Sequence, residues 1–432
     1  MATSADTDEC APLLVEEPVD ALNNAESFPD LKLVTVWSSL LTLWNAHPLL
    51  NCCAIVLVPL AVISAQCAWK QSYVFAVNFA AIIPLAVVLD FSTDQLSMRL
   101  GGTVGGLVNA SFGNFVELAT CFSALHANKF QVVKDDILGS ILSNALFILG
   151  CCFLMGGTVS PHRDKFQKFS SDKASVNTSL LLLTVMGFLL PLVMRWHLHS
   201  MGSFTEEDQA EAVLSLSRSV AVILISSYFG YVFFHLYTNP NGLVFAPVKS
   251  NHLGTTQFVR ESNFDLIQRP DEDEKPELVV SVAILALGVG SLFTSICAYG
   301  LIDSLGGLSQ ELKVSNTFIA IVVLPLVSNA SAFVTAVSAA MRNKLDLSIQ
   351  IAVGSAHQMS MFVAPTMVIA GWFTNRSLDL DFGLFSTAVA LLCVLVANAL
   401  IQDGRTHWFE GAILLAAYAM VACGFFFQPV ST

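Results

Sequence analysis

The sequence predicts an all-α integral membrane protein with about eleven transmembrane helices, arranged as one extra N-terminal helix and two inverted five-helix repeats. Three observations lead to this prediction. Hydrophobic residues make up 54% of the 432 residues and charged residues only 12%, as is typical of a multi-spanning membrane protein. Apolar stretches long enough to cross about 30 Å of hydrocarbon recur along the chain. A polar pattern inside these stretches also occurs twice.

The apolar stretches follow one another from residue 49 almost to the end of the chain. Their approximate ranges are 49–66, 72–90, 101–125, 135–157, 176–195, 217–237, 277–300, 313–342, 346–372, 381–400 and 409–427. No polar segment between them is long enough to fold as a separate domain, beyond a short helix.

These ranges divide the chain into five predicted regions. They are an acidic cytosolic tail (1–45), an extra first transmembrane helix (46–70), a first five-helix repeat (71–238), an acidic cytosolic linker (239–276) and a second five-helix repeat (277–428).

The distribution of basic residues predicts a cytosolic N-terminus, because most of the twenty Lys and Arg residues then lie in cytosolic loops. The first 30 residues lack a basic segment followed by an apolar one, so we expect no cleavable signal peptide. Within them, "ECAPLL" (Glu9 to Leu14) has the spacing of an acidic dileucine sorting signal. This motif indicates a vacuolar or lysosome-like membrane, although a plain disordered tail is an equal alternative.

The repeat is seen when "GNFVELATCFSALHANKFQVVKDDILGS" (113–140) is aligned with "SNASAFVTAVSAAMRNKLDLSIQIAVGS" (328–355). Without a gap, Asn114 falls on Asn329 and Ser140 on Ser355, 215 residues later. The shift carries the chain from the third predicted span to the eighth. Because this is an odd number of crossings, the two copies have opposite orientations, as in secondary transporters with a site at the midplane.

Each copy concentrates polar groups at membrane depth. Glu117 is an ionisable residue in mid-span and is therefore a functional residue by default. The other polar candidates are Asn114, Ser140 and Asn144 in the first half and Asn329, Ser355, His357 and Gln358 in the second. Ser and Asn also serve helix packing and interhelical hydrogen bonding, and His357 is most simply a packed histidine. Carboxylate, amide and hydroxyl oxygens suit hard cations such as Ca²⁺, so Glu117, Asn114 and Asn329 are the predicted ligands.

The segments "LGGTVGGLVNASFGNFVELATCFSAL", "VVKDDILGSILSNALFILG", "VSNTFIAIVVLPLVSNASAFVTAVSAAMRNKLDLSIQIAVGS" and "QMSMFVAP" resemble the two repeats of the calcium/proton exchangers. The resemblance is to the fungal vacuolar and plant tonoplast type of the cation/calcium exchanger superfamily. It covers about residues 46–428 and implies that two acids, one in each repeat, hold the cation at the centre. Here the first acid is Glu117. The second repeat differs from the family motif, since Ser328, Ala332 and Phe333 stand where the resemblance implies Gly, Glu and His. Tyr299 stands where the resemblance implies a further acid.

The resemblance implies exchange of cytosolic Ca²⁺, or a related divalent cation, for lumenal protons by alternating access. The loss of the second acid leaves a bound divalent charge under-compensated in a low-dielectric cavity. Asp90, Asp303 and His357 are the candidate compensating groups.

Two alternatives remain open from the sequence. One is monovalent cation/proton exchange with Glu117 as the single carboxylate, and the other is a non-transporting paralogue that binds a partner or senses a cation. No nucleophile and base grouping predicts an enzyme. We expect no cofactor and no nucleic acid, with Ca²⁺ and protons as transported ions and the lipid bilayer as surroundings. A homo-oligomer is left open.

Overall fold

Helices occupy each of the predicted apolar stretches. The computed structural model describes residues 36–67, 69–159, 166–169, 171–234 and 277–428. The "ECAPLL" motif and the linker 239–276 lie outside these residues, so neither prediction is addressed.

The helices of the N-terminal part follow the predicted ranges closely. They are α1 (Val36–Ala46), α2 (Pro48–Gln66), α3 (Gln71–Phe112), α4 (Phe115–His126), α5 (Phe130–Leu142), α6 (Leu149–Val159), α7 (Ser171–Met201) and α8 (Glu206–Phe233). A π-helical segment, π1 (Ser143–Ile148), joins α5 to α6. All but the last residue of helix α1 lies within the predicted tail, and α1 meets α2 at an angle of 93°.

The C-terminal part begins at α9 (Val280–Leu312) and has a similar order of helices. They are α10 (Asn316–Phe318), π2 (Ile319–Val323), α11 (Leu324–Ser328), α12 (Ala330–Met341), α13 (Leu345–Gln358), π3 (Met359–Val363), α14 (Ala364–Phe373), α15 (Leu384–Ile401) and α16 (Trp408–Phe426). Two short strands, β1 (Gln167–Lys168) and β2 (Arg405–Thr406), pair antiparallel.

Helix α3 is not one straight rod. Eight residues of a straight α-helix would separate Ser97 from Gly105 by about 12 Å. Instead, Ser97 Oγ donates a hydrogen bond to the carbonyl oxygen of Gly105 at 2.9 Å. The backbone of Ser97 also lies directly against Gly105, where a Cβ would overlap its carbonyl oxygen. The chain therefore reverses between these residues, and α3 supplies both the second predicted span and the first half of the third.

Backbone geometry confirms the internal repeat. The third and eighth predicted spans break at Asn114 and at Asn329, which are equivalent in the alignment. Asn128 and Asn343, again equivalent, both adopt left-handed backbone, with φ of 56° and 61°. The π-helical segments π1 and π3 also occupy matching positions. Such agreement of irregular features shows that the two halves share one local fold.

The equivalent helices α3 and α9 run antiparallel, as inverted repeats require. Along α9, Gly290 lies against Leu89, Gly300 against Asn78 and Gly307 against Gln71 of α3. A Cβ at Gly300 would come within 2.8 Å of Asn78 Oδ1. These glycines allow the two helices to approach closely, which is how helices commonly associate in membranes.

The loops gather at two opposite ends of the helical bundle. At one end, Lys134 Nζ lies 2.6 Å from Asp379 Oδ1, and Arg195 pairs with Asp381. At the other end, β1 pairs with β2, and Gln95 Oε1 accepts a hydrogen bond from the backbone nitrogen of Glu277 at 2.7 Å. The continuous helical segment 130–159 runs from the first end to the second.

The helical membrane class is confirmed. Among the described residues, seven helices are long and apolar enough to cross a membrane, or nine if each of two sharply bent pairs counts as one span. One of these pairs is Asn316–Ser328 with Ala330–Met341, bent by 60°. The count of eleven and the region boundaries stay predictions.

Candidate functional site

Glu117 lies in the first turn of α4, immediately after the helix break at Gly113 and Asn114. It is 2% exposed. The break places a helix N-terminus beside the carboxylate, and the partial positive charge of that terminus stabilises a negative charge there. Gly113 is needed because a Cβ would lie 2.6 Å from the carbonyl oxygen of Asn109. The residue equivalent to Gly113, Ser328, interacts with Glu117 from the other repeat.

Two amide pairs join the repeats around this position. Asn114 Nδ2 donates to Gln358 Oε1 at 2.7 Å, and Asn144 Nδ2 donates to Asn329 Oδ1 at 3.0 Å. Each asparagine at a helix break is thus paired with an amide of the opposite repeat. The structure therefore brings together four of the polar candidate residues, two from each half.

Two oxygen atoms at this centre are buried without a hydrogen-bond partner in the described part of the chain. They are Ser140 Oγ and Asn144 Oδ1. Buried polar atoms are normally satisfied, so such atoms need an explanation. Hydroxyl and amide oxygens with free lone pairs are suitable ligands for a hard cation. Ser355, in contrast with Ser140, is only half-buried.

Of the three candidate compensating groups, the structure brings Asp90 to the centre. Asp90 interacts with Ser331, the residue before Ala332, and also electrostatically with Glu117. It therefore lies on the side of the site where the resemblance implies a second acid. Its neighbour Asp94 adds a further negative charge.

Asp303 does not lie at the centre. It is exposed, and Lys129 Nζ donates to the adjacent carbonyl oxygen of Ile302 at 2.7 Å. Lys129 follows the C-terminal end of α4, twelve residues beyond Glu117 in the sequence. The interpretation of Asp303 as a compensating charge is therefore not supported by its position.

His357 is 1% exposed and its ring meets Tyr231 edge to face, with centroids 5.1 Å apart. Since it precedes Gln358 on α13, it is close to the centre in sequence. This aromatic packing agrees with the simpler interpretation of His357 as a packed histidine.

Phe333 and Tyr299 stand at two further positions where the resemblance implies other residues. Phe333 stacks on Phe147 with ring centroids 5.6 Å apart. Tyr299 is 53% exposed on α9. A large exposed side chain does not obstruct a buried site, so the substitution at Tyr299 removes an acid without closing the centre.

One group that the sequence reasoning missed is Asp136. Its side chain is 1% exposed, and its Oδ2 accepts a hydrogen bond from Thr120 Oγ1 at 2.7 Å. Asp136 also interacts electrostatically with Glu117. Its position four residues before Ser140 places it on the same helix face, and this spacing could have identified it.

The donor set is one of dispersed oxygens. Among the described residues, no group of three or more His, Cys, Asp and Glu side chains is clustered as in a compact metal centre. Glu117 and the amide and hydroxyl oxygens around it come from α4, α5, π1, α11 and α13, at the contact of the two repeats.

Comparisons with known proteins find a matching family model and similar sequences. The family model for sodium/calcium exchanger proteins matches residues 70–237 and 282–427. A vacuolar cation/proton exchanger 2 of Oryza sativa subsp. japonica is 36% identical over 356 residues, 82% of this chain and 76% of the relative. The vacuolar calcium ion transporter of Schizosaccharomyces pombe is 35% identical over 375 residues, 87% of this chain and 84% of the relative.

Solved structures show the same fold. The Ca²⁺/H⁺ antiporter YfkE superposes with a TM-score of 0.68 at 28% identity, covering 88% of this chain and 100% of that chain. The H⁺/Ca²⁺ exchanger CAX superposes with a TM-score of 0.61 at 11% identity, covering 89% and 93%.

Proposed function

Because the chain belongs to the sodium/calcium exchanger protein family, we propose that it exchanges cytosolic Ca²⁺, or a related divalent cation, for lumenal protons by alternating access. The observation that carries this proposal is the buried carboxylate of Glu117 at a helix break, where amide pairs join the two repeats. Its relatives include vacuolar cation/proton exchangers and a vacuolar calcium ion transporter. The protein is a transporter rather than an enzyme.

In this proposal the cation binds between the repeats. Glu117 supplies negative charge, while Asn114, Asn144, Asn329 and Gln358 supply amide oxygens. Ser140 adds a hydroxyl oxygen from α5, and Ser355 provides one from the equivalent position of α13. Gln358 Oε1 and Asn329 Oδ1 now accept hydrogen bonds from Asn114 and Asn144, so a bound cation would replace these two hydrogen bonds.

A divalent charge needs more than one carboxylate, and Asp90 supports the proposal on this point. Two carboxylates neutralise Ca²⁺, whereas Glu117 alone leaves a net positive charge in a low-dielectric site. Asp90 interacts with Ser331 beside Ala332 and with Glu117, so it is placed to supply part of the missing charge.

Alternating access follows from the broken helices in this proposal. The breaks at Asn114 and Asn329 divide two spans into halves whose backbone groups are available at the midplane. Rocking of the helices around these breaks would open the site to each side in turn. The exchange of protons on the acids for a cation keeps the charge of the site similar in both states.

We place the protein in a vacuolar or lysosome-like membrane with a cytosolic N-terminus. The apolar helices and the vacuolar relatives support the membrane, and the distribution of basic residues supports the orientation. In this orientation, the bundle end that holds Lys134 and Asp379 faces the lumen.

The test is uptake of radioactive Ca²⁺ into proteoliposomes with an acidic interior. The proposal requires uptake that depends on the pH gradient and is competed by divalent ions. Uptake of Na⁺ or K⁺ driven by the pH gradient, with no uptake of Ca²⁺, would instead establish monovalent exchange. The absence of any pH-driven flux from the folded protein would favour the non-transporting alternative.

A further inference from the structure

Asp136 is a buried carboxylate to which the proposed function assigns no role. Its Oδ2 accepts hydrogen bonds from Thr120 Oγ1 at 2.7 Å and from Cys121 Sγ at 3.6 Å. Its Oδ1 is buried and has no hydrogen-bond partner among the described residues. An ionisable group held at membrane depth with one oxygen unsatisfied is costly, and such groups mark ion and proton pathways.

Thr120 connects Asp136 to the turn that carries Glu117. The hydroxyl oxygen of Thr120 lies 2.7 Å from Asp136 Oδ2 and 2.9 Å from the carbonyl oxygen of Glu117. A threonine hydroxyl has a single proton, so it can donate to only one of these acceptors at a time. The hydrogen bonding of Thr120 can therefore follow the charge on Asp136.

Asp135 precedes Asp136 on α5, towards the end of the bundle at which α5 begins. Asp135 is 2% exposed, and its Oδ1 accepts a hydrogen bond from Gln131 Nε2 at 2.8 Å. Gln131 is exposed and lines a cavity of about 410 Å³ together with Asn128, Lys129, Leu305, Gly306 and Asn316. Thr317 also interacts with the Asp135 carboxylate, and Asp135 interacts electrostatically with Asp136, the next residue in the chain. Polar side chains thus lie between this cavity and the turn of Glu117.

We propose that Asp136 is a second proton-carrying carboxylate of the exchange site and takes protons from the cavity through Asp135. This inference rests on the proposed function and names the group that carries the second proton exchanged for each Ca²⁺. When Ca²⁺ leaves the site, one proton binds Glu117 and one binds Asp136, so the charge of the site is unchanged. In the proposed orientation the cavity opens toward the lumen, the side from which protons come.

The titratable groups around Asp136 are few. Glu117 and Cys121 interact with it from α4, and Asp135 and Lys134 flank it on α5. The segments 316–328 and π3, which also pack on α5, contain no titratable side chain. The remaining titratable residues on packed helices are His126 on α4, Asp346 and His357 on α13 and Cys393 on α15.

The experiment measures protons released per Ca²⁺ taken up in proteoliposomes, for wild type, Asp136→Asn and Asp403→Asn. Asn keeps an oxygen that can accept from Thr120 but cannot carry the proton. We expect Asp136→Asn to lower the proton/Ca²⁺ ratio by about half and to flatten the pH dependence of uptake, because one titrating group is lost. The matched control is Asp403→Asn, at an exposed position between α15 and α16. This variant should leave the proton/Ca²⁺ ratio and the pH dependence of uptake unchanged.

An unchanged ratio and pH profile in folded Asp136→Asn would overturn the inference. So would the finding that Asp90→Asn, and not Asp136→Asn, halves the ratio. The absence of pH-driven flux in the wild-type protein would count against the proposed function itself. The two failures can therefore be distinguished.

A second measurement uses the wild-type protein and needs no variant to fold. Dicyclohexylcarbodiimide reacts with protonated carboxyl groups in membrane proteins. Mass spectrometry should find the adduct on Asp136 as well as Glu117 at low pH. Saturating Ca²⁺ should lower the extent of labelling at both residues. Labelling of Glu117 alone, with Asp136 unmodified at every pH, would refute the proposal.

Discussion

Asn144 and Asn329 face each other across the contact of the two repeats, with Asn144 Nδ2 donating to Asn329 Oδ1 at 3.0 Å. Asn329 is the break residue of the second repeat, and Asn144 lies in π1 of the first. The pair Asn114–Gln358 has the reverse relationship, with the break residue in the first repeat. Each repeat therefore positions the broken helix of the other.

The asparagine pair should act as a unit in cation binding. We expect Asn144→Ala and Asn329→Ala each to weaken Ca²⁺ binding by about tenfold, and the double variant to be little worse than either alone. The reason is that each substitution removes one amide ligand and also the hydrogen bond that orients the other amide. Ca²⁺ competition on purified protein measures this. Fully additive losses would show that the two amides bind independently.

The carboxylate of Glu117 should be essential for proton coupling. We expect Glu117→Gln to abolish pH-driven Ca²⁺ uptake, because Gln preserves volume and hydrogen bonding but has no exchangeable proton. The protein should still insert and fold, as judged by monodisperse elution in detergent. Glu311→Gln, at an exposed position on α9, is the control and should transport normally. Near-normal uptake by Glu117→Gln would place the coupling elsewhere.

Restoring the second acid should strengthen divalent binding. We expect Ala332→Glu to compete more tightly for Ca²⁺ and to show a steeper pH dependence, since interacting carboxylates titrate together. Ala332→Gln has nearly the same volume without the charge and is the matched control. Equal Ca²⁺ affinity in the two folded variants would mean that Asp90 already supplies the charge at this side of the site.

The equivalent glycines of the two repeats should differ in their tolerance of a methyl group. A Cβ at Gly139 would lie 2.7 Å from Ile321 Cα, whereas at Gly354 the nearest atom is Gln350 Nε2 at 3.4 Å. We expect Gly139→Ala to destabilise the protein by about 1–3 kcal/mol through overpacking. Gly354→Ala should stay near wild type. Thermal unfolding in detergent measures both, and equal stability of the two variants would contradict the asymmetry.

The two ends of the chain should lie on opposite sides of the membrane. About eleven spans with most basic residues in the cytosol require a cytosolic N-terminus, a cytosolic linker including 271–277 and a lumenal C-terminus. Protease protection of tags in sealed vesicles measures this. Equal digestion of tags at both ends would show that the span count is wrong.

Sequence alone predicted much of the centre because its signals are local. A carboxylate in an apolar span needs no alignment to be noticed, and the shift of 215 residues relates Asn114 to Asn329 directly. The structure places both at helix breaks and pairs each with an amide that the sequence also predicted, Gln358 and Asn144.

The charge balance of the site could not be predicted in the same way. Asp90, Asp136 and Asp303 all occur in or near predicted spans. The spacing of Asp136 to Ser140 is a local signal, but no local signal shows which of the three carboxylates interacts with Glu117. Their difference arises from tertiary packing, because Asp303 is exposed on α9 whereas Asp136 on α5 is buried against α4.

The sequence by itself determined the helical membrane class, the repeat and the acid Glu117, because apolar length, polar spacing and a charge at membrane depth are properties of the chain. Only the tertiary structure decided that α3 reverses at Ser97 and Gly105 and that Asp90 and Asp136 both interact with Glu117. These relationships join residues from separate helices, and the distances between helices depend on how their surfaces pack.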